Sequence, residues 1–151
     1  MALKQRIQDD LKAALLGGDR FVTETLRGLK AAILNEEVAK GKRDEGLEDA
    51  EIEQIVAKEI KKRNESATLY EQNDRAESAA DERREAEILR TYLPTQLGEE
   101  DVKAIVEAAI KQLGANGMSD MGKVIGVVKS KVGNTADGAT VAKLVKEQLT
   151  Q

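Results

Sequence analysis

The chain has 151 residues, 40% of them hydrophobic but only 2% aromatic, with 34% charged and a net charge of -4. That length allows one ordinary domain or two small ones, with cores of Leu, Ile, Val and Ala, and the acidic balance argues against wholesale polyanion binding. Cysteine and histidine are both absent, which excludes disulfides, thiol nucleophiles, His-based catalysis and the usual zinc and di-iron sites.

Apolar residues recur at helical spacing almost throughout, and no alternation is long enough for a strand, so the sequence predicts an all-α protein. Leu3, Ile7, Leu11, Ala14 and Leu15 form a first stripe that ends at Gly17-Gly18. Asp19 is placed to cap a second helix with Val22, Leu26, Leu29 and Ile33 on its inner face. Residues 40–46 read as a solvated loop. A third helix begins near Glu48-Asp49 and carries Ile52, Ile55, Val56, Ile60, Ala67 and Tyr70. A fourth runs from about Arg75 to Tyr92, with Ala76, Ala79, Ala80, Ala86, Leu89 and Leu93 as its apolar set.

Pro94, the only proline, follows at once, and the residue before a proline is biased out of the helical region. The predicted boundary falls here, giving a helical bundle of about four helices over 1–93 and a three-helix domain over 95–151. In the second part, Glu99 to Leu113 reads as a fifth helix with acidic residues in its first turn, where the helix dipole favours them. Its apolar set is Val102, Ile105, Val106, Ala109, Ile110 and Leu113. After GANG, Ser119 is placed to cap a sixth helix to about Lys131. After VGNTADG a seventh runs from about Ala139 to Leu149, burying Val141, Leu144, Val145 and Leu149. No apolar run approaches the ~18 residues a membrane span needs, and the N-terminus lacks a signal-peptide core; a cytoplasmic chain without membrane contact is the expectation.

GMSDMGKV (117–124) comes within one residue of a Walker A phosphate loop, with Val124 where the hydroxyl belongs. No strand precedes it, Val124 offers Mg²⁺ no oxygen, and Asp120 would repel a phosphate, so no nucleotide cofactor is expected. The glycines need another reason. Met121, Val124, Ile125, Val128 and Val132 share one helix face, while Gly122 and Gly126 lie on a neighbouring one, flanked by Lys129 on one side and by Lys123 and Ser130 on the other. Either the glycines admit a close-packed helix, or the strip lets a nucleic-acid backbone or partner helix approach. From Ser119 to Lys146 five lysines (Lys123, Lys129, Lys131, Lys143, Lys146) stand against Asp120 and Asp137, a local +3. No aromatic accompanies them, so contact with nucleic acid would be through the backbone rather than by base stacking. In the first part, Lys58, Lys61, Lys62 and Arg63 lie near Glu59 and Glu65, and Arg83 and Arg84 near Glu82 and Glu85; mutual surface pairs are expected. Tyr70 and Tyr92 read as core or bundle-edge residues. No catalytic residue, metal ligand or cofactor is assigned.

KKRNESATLYEQNDR (61–75), EAEILRTYLPTQL (85–97) and above all MSDMGKVIGVVKSKVGNTADGATVAKLVKEQL (118–149) resemble the YqeY-like proteins of the GatB/YqeY group, over essentially the whole chain. Two departures are small: Gly98 stands where a capping Ser is usual, and Ile125 where Met is common. The resemblance implies a helical bundle followed by a small domain similar to the tail of the B subunit of the tRNA-dependent amidotransferase, a tail associated with holding tRNA. It also implies the family label of a carbon–nitrogen ligase with glutamine as amido-N-donor, for which these residues supply neither an amidase Ser/Lys constellation nor a sound ATP loop. The expected role is an accessory protein contacting tRNA or a tRNA-handling enzyme through Lys123, Lys129, Lys131, Lys143 and Lys146, with Gly122 and Gly126 giving close approach. The alternative is a protein-interaction module with no affinity for RNA.

Overall fold

The computed structural model describes residues 2–151, and among them there are seven α-helices, two short 3₁₀ turns and no strand. The chain divides into two compact units, Met1–Leu93 and Pro94–Gln151.

In the first unit α1 (Ala2–Leu16) buries Ile7, Leu11 and Ala14. Leu15 is not in that face; it stands 50% exposed, because Ala14 takes the position one helical turn beyond Leu11 on the buried side. Gly18, in the left-handed region at φ 72°, turns the chain, and Asp19 caps α2 (Arg20–Ala39) by accepting the Val22 N–H at 3.1 Å. α2 buries Leu26, Leu29 and Ile33 as expected, together with Thr23, Thr25 and Glu37. Both threonine hydroxyls donate to backbone oxygens one turn back. Glu37 is 2% exposed and accepts from the Lys4 ammonium at 2.6 Å; a buried carboxylate persists only with such a partner.

Residues 40–46 are the mostly exposed loop the sequence predicts, anchored at its edges. Gly41 and Gly46 take positive φ, Leu47 is fully buried, and the Lys40 and Lys42 ammonium groups meet the Glu51 carboxylate. Glu51 also accepts the backbone N–H of Glu48 at 2.9 Å, fastening the start of α3 (Asp49–Gln72). That N–H bond, followed by the Lys40 ammonium, holds the Glu51 carboxyl at about 2, well below the usual range. α3 buries Ile52, Val56, Ile60 and Ala67 and pairs lengthwise with α4 (Ala76–Arg90). On α4 the buried positions are Ala79, Ala86 and Leu89; Ala76 and Ala80 lie round the helix from that face and are exposed. Tyr92 is buried against the core, and its hydroxyl donates to the Asp10 carboxylate at 2.6 Å with the Arg6 guanidinium over its ring. Burial first, then the Asp10 hydrogen bond, pushes the Tyr92 phenol well above its ordinary range. Tyr70 is half-buried.

The second unit begins with the segment before α5 (Glu99–Leu113), where Leu97 N–H donates to Thr135 O at 2.8 Å and the Gln96 amide to Asn134 O at 3.0 Å. Gly98 stands at the cap position of α5, and Gly114, at φ 63°, ends the helix. Leu113, in that last turn, is left 41% exposed where the chain turns away. α6 (Met121–Val132) and α7 (Gly138–Leu149) complete a core of Val102, Val106, Ala109, Val124, Val128, Val132, Val141, Leu144, Val145 and Leu149. Every member is aliphatic, and seven of the ten are valine, as the shortage of aromatics requires. Among the described residues no helix is long and apolar enough to cross a membrane, and no cluster of Asp and Glu side chains is arranged to hold a metal ion.

Candidate functional site

The glycine strip lies on α6, and its entrance differs from the expectation. Met118–Asp120 form a 3₁₀ turn before α6, so Ser119 lies inside that turn and does not cap the helix; Asp120 occupies the cap position. The Asp120 carboxylate accepts the Asn116 N–H at 3.3 Å, and so closes the preceding turn instead of the helix end. Gly117 is extended, and Gly122 and Lys123 are already in α6. The stretch 117–124 is therefore a turn leading into a helix, with a carboxylate at its start, and not a loop of N–H groups wrapped about a phosphate.

Gly122 and Gly126 are exposed, and a Cβ placed on either would meet no atom within 4 Å. Close packing of another helix within this unit is thus not what the glycines permit. They are bare backbone facing open space. The buried face of α6 is Val124, Val128 and Val132, with Met121 and Ile125 partly covered. The Ser130 hydroxyl returns to the Gly126 carbonyl at 3.1 Å and leaves the strip clear.

All five lysines are exposed, and none is in an ion pair with a described carboxylate. They are not one cluster. Lys123 and Lys129 border the strip. The end of the Lys129 side chain comes within 3.9 Å of where a Cβ on Gly138 would stand, so it lies across the start of α7. Lys131 is about 160° round the axis from Lys129 at helical spacing, and its ammonium donates to the Gln112 side chain of α5 at 3.4 Å. Lys143 and Lys146, three residues apart, share the face of α7 opposite Val141, Leu144 and Val145. A side chain on Gly138 would touch Lys129 only at ordinary contact distance, so this glycine is not what admits the lysine.

Some of these charges have a local structural reason. Lys129 and Lys131 fall in the last turn of α6 and Lys146 in the last turn of α7, where a cation complements the helix dipole by roughly 0.3–1 kcal/mol. Lys123, at the third position of α6, sits at the end where the dipole disfavours a cation. The second unit as a whole has seven lysines and seven Asp or Glu. The charge is segregated: Glu99, Glu100 and Asp101 open α5, whereas α6 has three lysines and no acidic residue.

The basic residues of the first unit are mostly used internally. Arg63 turns inward, 15% exposed, between Glu59 and Glu85. Lys62 pairs with Glu59, as expected of neighbours. Arg83 pairs not with Glu82 or Glu85 but across to Glu71 on α3, and Arg84 stacks on the Phe21 ring at 4.1 Å. Lys58 and Lys61 remain on the exposed face.

The family model for YqeY-like proteins matches residues 4–149, and the chain belongs to that family. Among characterised sequences it is similar to "Altered inheritance of mitochondria protein 41, mitochondrial" of Clavispora lusitaniae, 28% identical over 149 residues that cover 87% of this chain and 85% of the relative. The protein of the same name from Pyrenophora tritici-repentis is 27% identical over 146 residues, covering 94% of this chain and 78% of the relative. That of Lachancea thermotolerans is 32% identical over 88 residues, 58% of this chain and 46% of the relative. These relatives are mitochondrial by name, a compartment that the cytoplasmic reading of the sequence did not include.

Proposed function

We propose that this YqeY-like chain is a non-catalytic accessory protein whose C-terminal three-helix unit, following a four-helix bundle, meets the phosphate backbone of tRNA along the open strip of α6. The observation that carries this reading is the strip itself. Gly126, inside a helix, costs roughly 0.8–1 kcal/mol relative to Ala, and nothing within the unit comes close enough to need its missing side chain. Bare backbone flanked by Lys123 and Lys129 suits a surface that approaches closely and supplies charge at its margins. Lys143 and Lys146 add positive charge on the outer face of α7, and Lys131 on the α5 side. The resemblance to an amidotransferase tail supports RNA as the polyanion; the amide-transfer label finds no constellation here to carry it.

Titration of the purified chain with total tRNA at 50 and 200 mM salt tests this. Three phosphate contacts give a log–log slope of about -2 to -3, a loss of roughly 20- to 40-fold over that range. Lys123→Glu/Lys129→Glu should abolish binding, while Lys131→Glu, away from the strip, should weaken it less. An affinity unchanged in the double variant would sink the proposal. Binding of a protein instead, insensitive to salt but lost in Gly126→Leu, would assign the strip to a partner helix.

A further inference from the structure

A second open surface lies in the first unit. Along the outer seam of the α1–α2 hairpin there are two depressions. One, of ≈ 120 Å³, is lined by Lys4, Ile7, Gln8, Lys30, Leu34 and Glu37 among others. The other, ≈ 340 Å³ and shallow, lies among Leu15, Arg20, Thr23, Glu24 and Arg27. The lining residues fall at three- and four-residue spacing on both helices, which sets the two depressions in line along one seam, taken together as a groove. From Lys4 to Leu15 it extends about 16 Å, or three helical turns.

The groove has the chemistry of a protein-binding seam. Leu15 and Leu34 are 50% and 43% exposed, and each lines one of the depressions, with no aromatic residue beside them. The smaller depression has room for a side chain and falls well below the ~300 Å³ of an ordinary small-molecule site. Four cations border the groove, against Glu24 and Glu37. Glu37 is matched by Lys4 and Glu24 by Arg27. Lys30 and Arg20 are in no ion pair with a described carboxylate, so one unmatched cation borders each depression, in a protein that is acidic overall.

We propose that this groove receives one amphipathic helix of a partner protein, with leucine-type residues along its inner stripe and carboxylates ten or eleven residues apart to meet Lys30 and Arg20. Two antiparallel helices with an aliphatic seam between them are the ordinary receptor for such a helix. The spacing follows from the ten residues, about 15 Å, between Arg20 and Lys30 on α2. A lipid surface is the weaker fit, because the apolar residues border depressions and do not form a ridge above the cations.

The test uses the full chain, isotope-labelled, with three probes: a three-turn helical peptide of Leu and Ala flanked by Glu, the same peptide with Lys for Glu, and phosphatidylglycerol vesicles. The expected result is saturable amide shifts at Leu15, Arg27 and Leu34 with the Glu peptide and none with the Lys peptide. Arg20→Glu/Lys30→Glu, both on exposed positions, should weaken the Glu peptide at least tenfold and admit the Lys peptide, with an unchanged far-ultraviolet spectrum. No shifts with the Glu peptide, equal shifts with both peptides, or response to vesicles alone would each overturn the proposal.

Discussion

Replacing Gly126 by Ala should make the protein more stable. The residue is inside α6, four positions before Ser130, and its backbone is already helical. An alanine there removes conformational freedom from the unfolded chain and gains about 0.8–1 kcal/mol of helix propensity. The usual counter-term is a clash, and here it is absent, since the added Cβ meets nothing within 4 Å. The Ser130–Gly126 hydrogen bond uses the backbone carbonyl and survives. Gly122, only the second residue of α6, has less helix on its N-terminal side and should gain less. For a unit of this size about 1 kcal/mol corresponds to roughly 4–8 °C in melting temperature. Calorimetry on the full chain, with amide exchange at Val124, Val128 and Val132 to assign the transition, reads the effect. A gain accompanied by weaker tRNA binding would mean that the glycine is kept for the approach of a ligand at the expense of stability. An unchanged or lowered melting temperature would refute the reasoning, because something would then have to occupy the space beside α6.

Lys4→Met should destabilise the first unit by about 2–3 kcal/mol, below the 3–5 kcal/mol of a fully buried pair because the lysine is 32% exposed. Adding Glu37→Leu should restore most of it, and urea unfolding of both single variants and the double variant gives the coupling. The Glu51 carboxyl, followed by carbon-detected titration, should show its midpoint near 2. Because its folded value is depressed, the stability it lends is present above the ordinary carboxylate range and is lost as pH falls through about 2. Lys40→Ala should move that midpoint upward but only part of the way, since the Glu48 N–H bond is the larger cause.

Helix existence and type were legible because 3.6-residue periodicity is repeated over every long segment, and glycines, Asp19 and Pro94 punctuate it. What escaped was set by partners distant in sequence. Leu47, between the predicted loop and the third helix, is buried because the chain returns there from α2 to α3, and a lone leucine in a polar stretch has no periodic neighbours to mark it. Nothing in the local sequence marks Glu37 as buried; Lys4, thirty-three residues earlier, makes its burial tolerable. Leu15 reads as core and is not, because a stripe drawn on one helix cannot say where its neighbour ends. At the candidate strip, the helical wheel placed Gly122 and Gly126 on one face correctly but could not say whether that face was covered. Nor could it say that Lys131 reaches the Gln112 side chain of α5 while Lys129 lies over the start of α7.

The division of the chain gives the candidate strip its sharpest test. The second unit has its own ten-residue core, drawn from all three of its helices. Its entry segment is tied by the Leu97–Thr135 and Gln96–Asn134 bonds. At 58 residues it is near the lower size at which a core without disulfides or metal holds, and the valine-rich interior contains no aromatic side chain to compensate. Residues 94–151 should nevertheless unfold cooperatively when produced alone, with slow amide exchange confined to Val106, Val128 and Val145. Loss of that protection would show that the unit depends on the rest of the chain. If it is retained, the isolated unit should bind tRNA with the salt slope of the full chain. The α1–α2 groove is absent from that fragment, so the Glu peptide that marks it should not bind. The two surfaces would then be shown to act separately, because each can be removed without the other.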